Sequence, residues 1–166
     1  ITGMHRKAGA WWLVGKAGES GPFDVVILAI PAEQAAAMLS SHDLALARTA
    51  LVTRSQPCWT SMFVFDRPID GVEPVMRNCG DIIWAARNSA KPGRSGPEAW
   101  VVQANPVWSA EQIETPQEQI SGMLCAALAT AMGRALPVPI AAASHRWRYA
   151  LSAGTGDGTF WNADIA

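Results

Sequence analysis

Charge is scarce in this sequence. Asp, Glu, Lys and Arg make up 16% of its 166 residues, and the formal net charge is −1. Without a basic excess there is no positive field to hold a polyanion, so nucleic acid is not an expected partner. The apolar share of 49% is the opposite of the balance that keeps a chain disordered, and the length suffices for a domain with a real core. Cysteine is equally sparse. Cys58, Cys79 and Cys125 form no CxxC, and an odd, scattered set fits reduced cytosolic thiols better than a disulfide frame. His5, His42 and His145 are also dispersed, so the clustered ligands of a zinc site are missing and no metal is expected. No apolar run reaches the roughly 18–20 residues of a membrane helix. Val25 to Ala32 and Leu124 to Met132 are too short or interrupted, so no membrane partner is expected. The opening Ile1-Thr-Gly-Met-His-Arg6 lacks the apolar core of a signal peptide. Together these readings give a cytoplasmic protein. Because residue 1 is not methionine, the chain reads as starting inside a longer gene product or after processing. Neither GxSxG nor a local Cys–His signature occurs. Gly154-Thr-Gly-Asp-Gly158 lacks the phosphate-loop pattern and reads as an exposed turn, within a tail from Ser152 expected to be flexible.

Tryptophan, by contrast, is abundant, with eight residues. Its size and its N–H suit both cores and pocket walls. Along the chain, residues 11–14 read as a short strand and Lys16 to Pro22 as a turn-forming cluster. Phe23 to Ile30 is an almost unbroken apolar run, as in a strand buried on both faces of a parallel sheet. Pro31 ends that strand and is suited to the first position of a helix over 32–39. A helical turn is expected at 43–49, strands at 58–65, 81–87 and 99–104, and a loop over 88–97. The 81–87 and 99–104 strands, joined by that loop, are placed to pair antiparallel. Thr115, Pro116 and Glu118 form a capping-box pattern opening a helix over about 116–135. Its apolar stripe is Ile120, Met123, Leu124, Ala127, Leu128, Ala131 and Met132. Residues 140–150 read as a last strand. The fold class is α+β: a mostly antiparallel sheet flanked by helices, with a remnant of an α/β unit at the front. The division expected is 1–40, 41–151, and a return segment 152–166.

Two constellations could carry chemistry. Trp84-Ala-Ala-Arg-Asn-Ser-Ala-Lys-Pro-Gly-Arg94 places Arg87, Asn88, Ser89, Lys91 and Arg94 where a strand enters a loop. These are donors for an anionic or carbonyl-bearing ligand, or equally a solvated basic loop. In Ser144-His-Arg-Trp-Arg-Tyr-Ala150, strand alternation puts His145, Trp147 and Tyr149 on one face and Arg146 and Arg148 on the other. The aromatic face can stack on a planar ring and the arginines can fix charge, or the segment is a core strand with a cationic outer side.

Four tracts resemble bacterial renalase-like FAD-dependent oxidoreductases of the amine oxidase superfamily, and they occur in family order. They are Phe23-Asp-Val-Val-Ile-Leu-Ala-Ile-Pro-Ala-Glu-Gln-Ala, Pro57-Cys-Trp, Trp84 to Arg94 and His145-Arg-Trp-Arg-Tyr-Ala. The resemblance implies a two-domain flavoprotein whose Rossmann-like domain binds FAD through an N-terminal G-x-G-x-x-G. A second domain roofs the flavin and shapes the pocket. This chain has no G-x-G-x-x-G, and it reaches Phe160-Trp-Asn-Ala-Asp-Ile-Ala166 without the family's Gly-Asp flavin segment. It therefore reads as an internal fragment that does not retain FAD by itself. An apolar face left by an absent domain could drive self-association. By position, the resemblance puts Ala29, Ile30, Pro31 and Trp147 at the cofactor. It puts Trp84 and Asn88 toward the substrate cavity, and Trp147 and Arg148 near the flavin ring, Trp147 as a wall and Arg148 as a charge partner. Arg87, Lys91 and Arg94 complete the expected substrate side as cations suited to a dinucleotide's phosphates. The implied chemistry is hydride transfer from an amine or dihydronicotinamide-type small molecule to FAD. A non-catalytic binding module of the same fold is the alternative.

Overall fold

Two tight hairpins begin the chain. In the computed structural model, which describes residues 1–152, β1 (Gly3–Lys7), β2 (Ala10–Gly15) and β3 (Gly18–Phe23) form an antiparallel sheet in that order. Ala8 and Gly9, both at positive φ (51° and 83°), make the two-residue turn whose twist suits adjacent strands. The Lys16–Pro22 cluster turns only at its start, and the rest is β3. Glycine is needed at 21, where a Cβ would lie 2.8 Å from the Trp11 carbonyl oxygen. The apolar run after Phe23 does not form the expected strand. A strand needs a neighbour to take its backbone hydrogen bonds, and among the described residues none pairs with Asp24 to Ile30. Its side chains stand out instead, with Val25 53% and Ile27 87% exposed. Helix α1 (Ala32–Leu39) follows, with Pro31 as its N-cap rather than its first helical residue. Helix α2 (Leu44–Val52) is longer than the turn expected there, and Asp43 caps it by accepting the Leu46 N–H at 2.8 Å. Ile1–Ser55 forms one compact unit and Gln56–Leu151 another.

The second unit is built on a five-stranded sheet. Its strands are β4 (Ser55–Phe65), β5 (Val75–Cys79), β6 (Ile82–Arg87), β7 (Glu98–Ala104) and β8 (Ala141–Ser152), in the spatial order β5-β6-β7-β4-β8. The expected antiparallel pairing of β6 with β7 is present, and β7 pairs antiparallel with β4. The chain is α+β, with two antiparallel sheets flanked by helices. Strand β5 was not foreseen. It pairs with β6 through a turn in which Asn78 and Gly80 hold φ of 53° and 59°.

Strand alternation sorts this sheet into two faces. Trp59, Phe63 and Phe65 of β4 and Trp100, Val102 and Ala104 of β7 are buried on one face. Helix α4 (Gln117–Ala131) covers it, with Ile120, Leu124 and Leu128 fully buried at a four-residue spacing. Ala127, Ala131 and Met132 pack beside them, whereas Met123, counted in the same stripe, is 38% exposed. The capping box does not form. Thr115 gives its hydroxyl proton to Gln112 Oε1 at 2.9 Å, and Pro116 caps α4 without a side-chain hydrogen bond. The short helix α3 (Pro106–Glu111), also unforeseen, is capped by Asn105, whose side chain accepts the Trp108 N–H at 2.8 Å. The buried indoles are satisfied. Trp59 Nε1 donates to the Gln112 carbonyl at 2.9 Å and Trp100 Nε1 to Glu98 Oε1 at 2.7 Å.

Leu124→Ala removes a fully buried side chain at the centre of this layer and should lower unfolding free energy by roughly 2–5 kcal/mol. Urea denaturation of the two proteins measures it, and a loss under about 1 kcal/mol would contradict the packing described.

Candidate functional site

The sheet face turned away from α4 is open. Register places Arg77 of β5 opposite Trp84 of β6, Trp84 opposite Gln103 of β7, and Gln103 opposite Thr60 of β4. These four side chains form one rung across four strands on the same face. Strand β8 extends it with Trp147, Tyr149 and Leu151. It is held beside β4 by the Ile140 N–H to Val64 carbonyl bond at 2.8 Å and by the Ser61 and Ser144 hydroxyls, 2.6 Å apart. The result is a groove of about 830 Å³ with Trp84 on one side, Trp147 and Tyr149 on the other, and Cys58, Thr60 and Gln103 between them. Trp147 is 53% exposed and Tyr149 49%, so flat apolar surface is presented to whatever enters. His145 meets the Trp147 ring edge-on at 4.5 Å between centroids and helps fix its orientation. Burial pushes the Cys58 thiol up, only partly offset by its contact with the Thr60 hydroxyl, which disfavours the reactive thiolate.

The 145–149 alternation is as expected, and it separates the arginines from the ring face. Arg148 Nη2 donates to Glu114 Oε1 at 2.9 Å and Arg146 Nη1 to Glu114 Oε2 at 2.8 Å. Arg146 also donates to the Ile113 carbonyl and lies 5.8 Å from the centroid of the buried Trp59 ring. Arg148 therefore sits on the α4 side of β8, opposite Trp147, and is not a charge partner in the groove. The hydrogen bond from Arg148, then that from Arg146, holds the Glu114 carboxyl below its ordinary value.

Arg87 is also committed elsewhere. Register puts it opposite Trp100, on the core face, with its guanidinium 5.5 Å from the Trp100 ring centroid. It donates to the Ile69 carbonyl. Its Nε lies 3.0 Å from Glu98 Oε1, but the N–H is not aimed at that oxygen, so this contact is electrostatic and not a hydrogen bond. Asn88 opens a 3₁₀ turn (Asn88–Ala90), and Lys91 and Arg94 are exposed in the loop beyond it. That loop leaves the far end of β6. Trp84 and Asn88 are four residues apart, about 13 Å along a strand. Of the residues expected on the substrate side, Trp84 and Trp147 share the groove. Arg87, Asn88, Lys91, Arg94 and Arg148 do not line it. In the other unit, Ala29 and Ile30 lie in the irregular segment before α1 and are exposed, and Pro31 caps that helix. The 154–158 and 160–166 segments lie outside the described residues.

Arg77, Gln103 and Thr60 were not read from the sequence as site residues. Arg77 escaped because Val75–Cys79 was not recognised as a strand. The Asn78-Cys-Gly-Asp81 turn before an apolar run was the available hairpin signal. Thr60 and Gln103 are ordinary polar residues in strands, and only register gathers them. Among the described residues, no helix is long and apolar enough to cross a membrane.

No protein-family model matches the chain. Its fold is similar to part of a crystal structure from Exiguobacterium sp. 255-15 whose protein bears the name "Putative protoporphyrinogen oxidase". The TM-score is 0.71 at 18% sequence identity. The match covers 92% of this chain and 34% of that one, so the chain spans about a third of the neighbour's length.

Two outcomes follow from these contacts. Glu98→Ala strips the acid from a largely buried arginine and should cost roughly 3 kcal/mol of stability, read by chemical denaturation. Glu98→Gln keeps an acceptor for Trp100 but also removes the charge beside Arg87, so it should cost nearly as much, and a clearly smaller loss would contradict the ionic role. For Glu114 the folded value lies below the unfolded one. Its pairing therefore stabilises the fold above the ordinary carboxylate range and is lost as pH falls through the lowered folded value. An NMR titration should find the Glu114 carboxyl titrating below an isolated glutamate, and Arg148→Ala should move it upward.

Proposed function

We propose that this chain is part of a flavin-dependent oxidoreductase, and that the open face of its five-stranded sheet roofs the reacting rings. The observation that carries the reading is the groove between Trp84 and the Trp147–Tyr149 pair, on a fold shared with part of a protein named as an oxidase. The resemblance of the Trp84–Arg94 and His145–Ala150 tracts to renalase-like enzymes supports it from the sequence side.

The residues present fit one part of FAD. Trp147, Tyr149 and Trp84 offer faces on which a flat tricyclic ring can stack, and Thr60 and Gln103 offer polar groups between them. For the phosphates this chain supplies no cradle in sequence, since it has no G-x-G-x-x-G. The proposed division of labour is that this chain shapes the ring and substrate side while the dinucleotide is held by other parts of a longer protein. Flavin, where bound, would supply the two-electron redox chemistry, with a substrate C–H bond as hydride source and oxygen as terminal oxidant. The work of this chain is to hold the substrate flat against the aromatic walls, present its reacting C–H, and keep water out of the gap. The substrate proposed is an amine or a dihydronicotinamide-type molecule. A dinucleotide's phosphates would not be met in the groove by Arg87, Lys91 or Arg94, and Arg77 is the cation among the described residues that lines it.

The test uses the intact protein, purified with its flavin. Anaerobic mixing with an amine or with dihydronicotinamide dinucleotides should bleach the flavin absorbance, and Trp147→Ala should slow bleaching about 3- to 10-fold, the worth of one aromatic contact. A protein that binds no flavin, or a variant with the full rate, would overturn the assignment.

A further inference from the structure

We propose that the groove selects a flat ligand bearing an anionic group, a carboxylate or its equivalent, and that Arg77 is the residue that selects it. The proposal rests on the reading of this groove as a ligand site. It does not require the ligand to be oxidised.

Arg77 lines the groove and is the register partner of Trp84 on β6. It differs from the arginines that the sequence brought forward. Arg87 lies against Glu98, while Arg146 and Arg148 share Glu114. Among the described residues, the Arg77 guanidinium makes neither an ion pair nor a hydrogen bond, and no Asp or Glu lines the groove. The remaining polar side chains there, those of Cys58, Thr60, Asn78, Gln103 and Tyr149, are neutral. Among the described residues the groove thus carries one positive charge without a counter-charge, placed at its β5 edge. A guanidinium presents a planar fork of donors matched to carboxylate geometry. Strands lie about 4.8 Å apart, so Arg77 is one step from Trp84 and about 10 Å from Gln103. That distance is the length of a two-ring aromatic acid lying across the rung, its ring beside Trp84 and its acid group on Arg77. Because the arginine is exposed, its contribution is selectivity of modest size rather than tight binding.

Isothermal titration of the full chain with 2-naphthoate and with neutral 2-naphthamide tests this directly. These share a ring and differ in charge. The acid should bind about 2- to 5-fold more tightly than the amide, the upper range of a single solvent-exposed ion pair. In Arg77→Gln the ratio should fall to about one, and in Arg77→Lys it should recover in part. Arg77 is exposed and its side chain makes no bond among the described residues, so thermal melts of the variants should match the parent. Equal binding of acid and amide by the parent chain, binding of neither, or a preference that survives Arg77→Gln would each overturn the proposal. Failure of the flavin reading shows differently, as missing flavin or missing bleaching in the intact protein while the acid-over-amide ratio stays dependent on Arg77.

Discussion

A single sheet with two unlike faces is the constraint on which the rest depends. Because consecutive strand residues point to opposite sides, the positions that bury Trp59, Phe63, Trp100 and Val102 under α4 oblige Thr60, Gln103 and Trp84 to face away from it. Core and groove are therefore specified by the same register. A slip of one residue in β6 or β7 would drive Trp84 into the core and Val102 into the open. Burying each large apolar side chain on the α4 side is worth roughly 1.5–3 kcal/mol, which is why the register holds. That hold is also what keeps the groove's rung aligned without hydrogen bonds among its own side chains.

The distribution of arginines follows from the same two faces. Arg87, on the core side, lies beside Glu98 over Trp100, and Arg146 and Arg148, also on that side, converge on Glu114. A charge near the core must be met by an opposite charge or by acceptors, so these cations are fastened to the scaffold. On the open side solvent screens charge, and a cation can remain without an internal partner. Among the described residues Arg77 is such a cation, with Trp84 as its cross-strand neighbour.

Much of this architecture was legible in the sequence where pattern and environment agree. The α4 stripe, the β4, β6 and β7 strands and the 145–149 alternation are all local patterns, and the structure contains them. What could not be read depended on partners distant along the chain. Phe23 to Ile30 has the composition of a buried strand, but composition does not provide a neighbour, and here Ile27 is 87% exposed. Arg87 looked like a donor at the mouth of a loop because nothing in residues 84–94 reveals Glu98 lying across from it. Thr115 had the spacing of a cap, yet the preceding turn at Gln112 engaged its hydroxyl first. Within the site the aromatic walls, Trp84 and Trp147, were legible as large residues in unusual tracts. Arg77, Thr60 and Gln103 were not, since their significance lies in cross-strand register alone.

The central claim is that the open face of this sheet lies against a flavin ring, with Trp147 in contact. Indole next to an excited flavin quenches its fluorescence by electron transfer at contact distance, so the flavin fluorescence lifetime of the intact protein measures that contact. The account predicts a short lifetime that lengthens several-fold in Trp147→Phe and less in Trp84→Phe. A lifetime unchanged in both variants would mean that neither indole touches the ring, and the open face would have to serve another purpose.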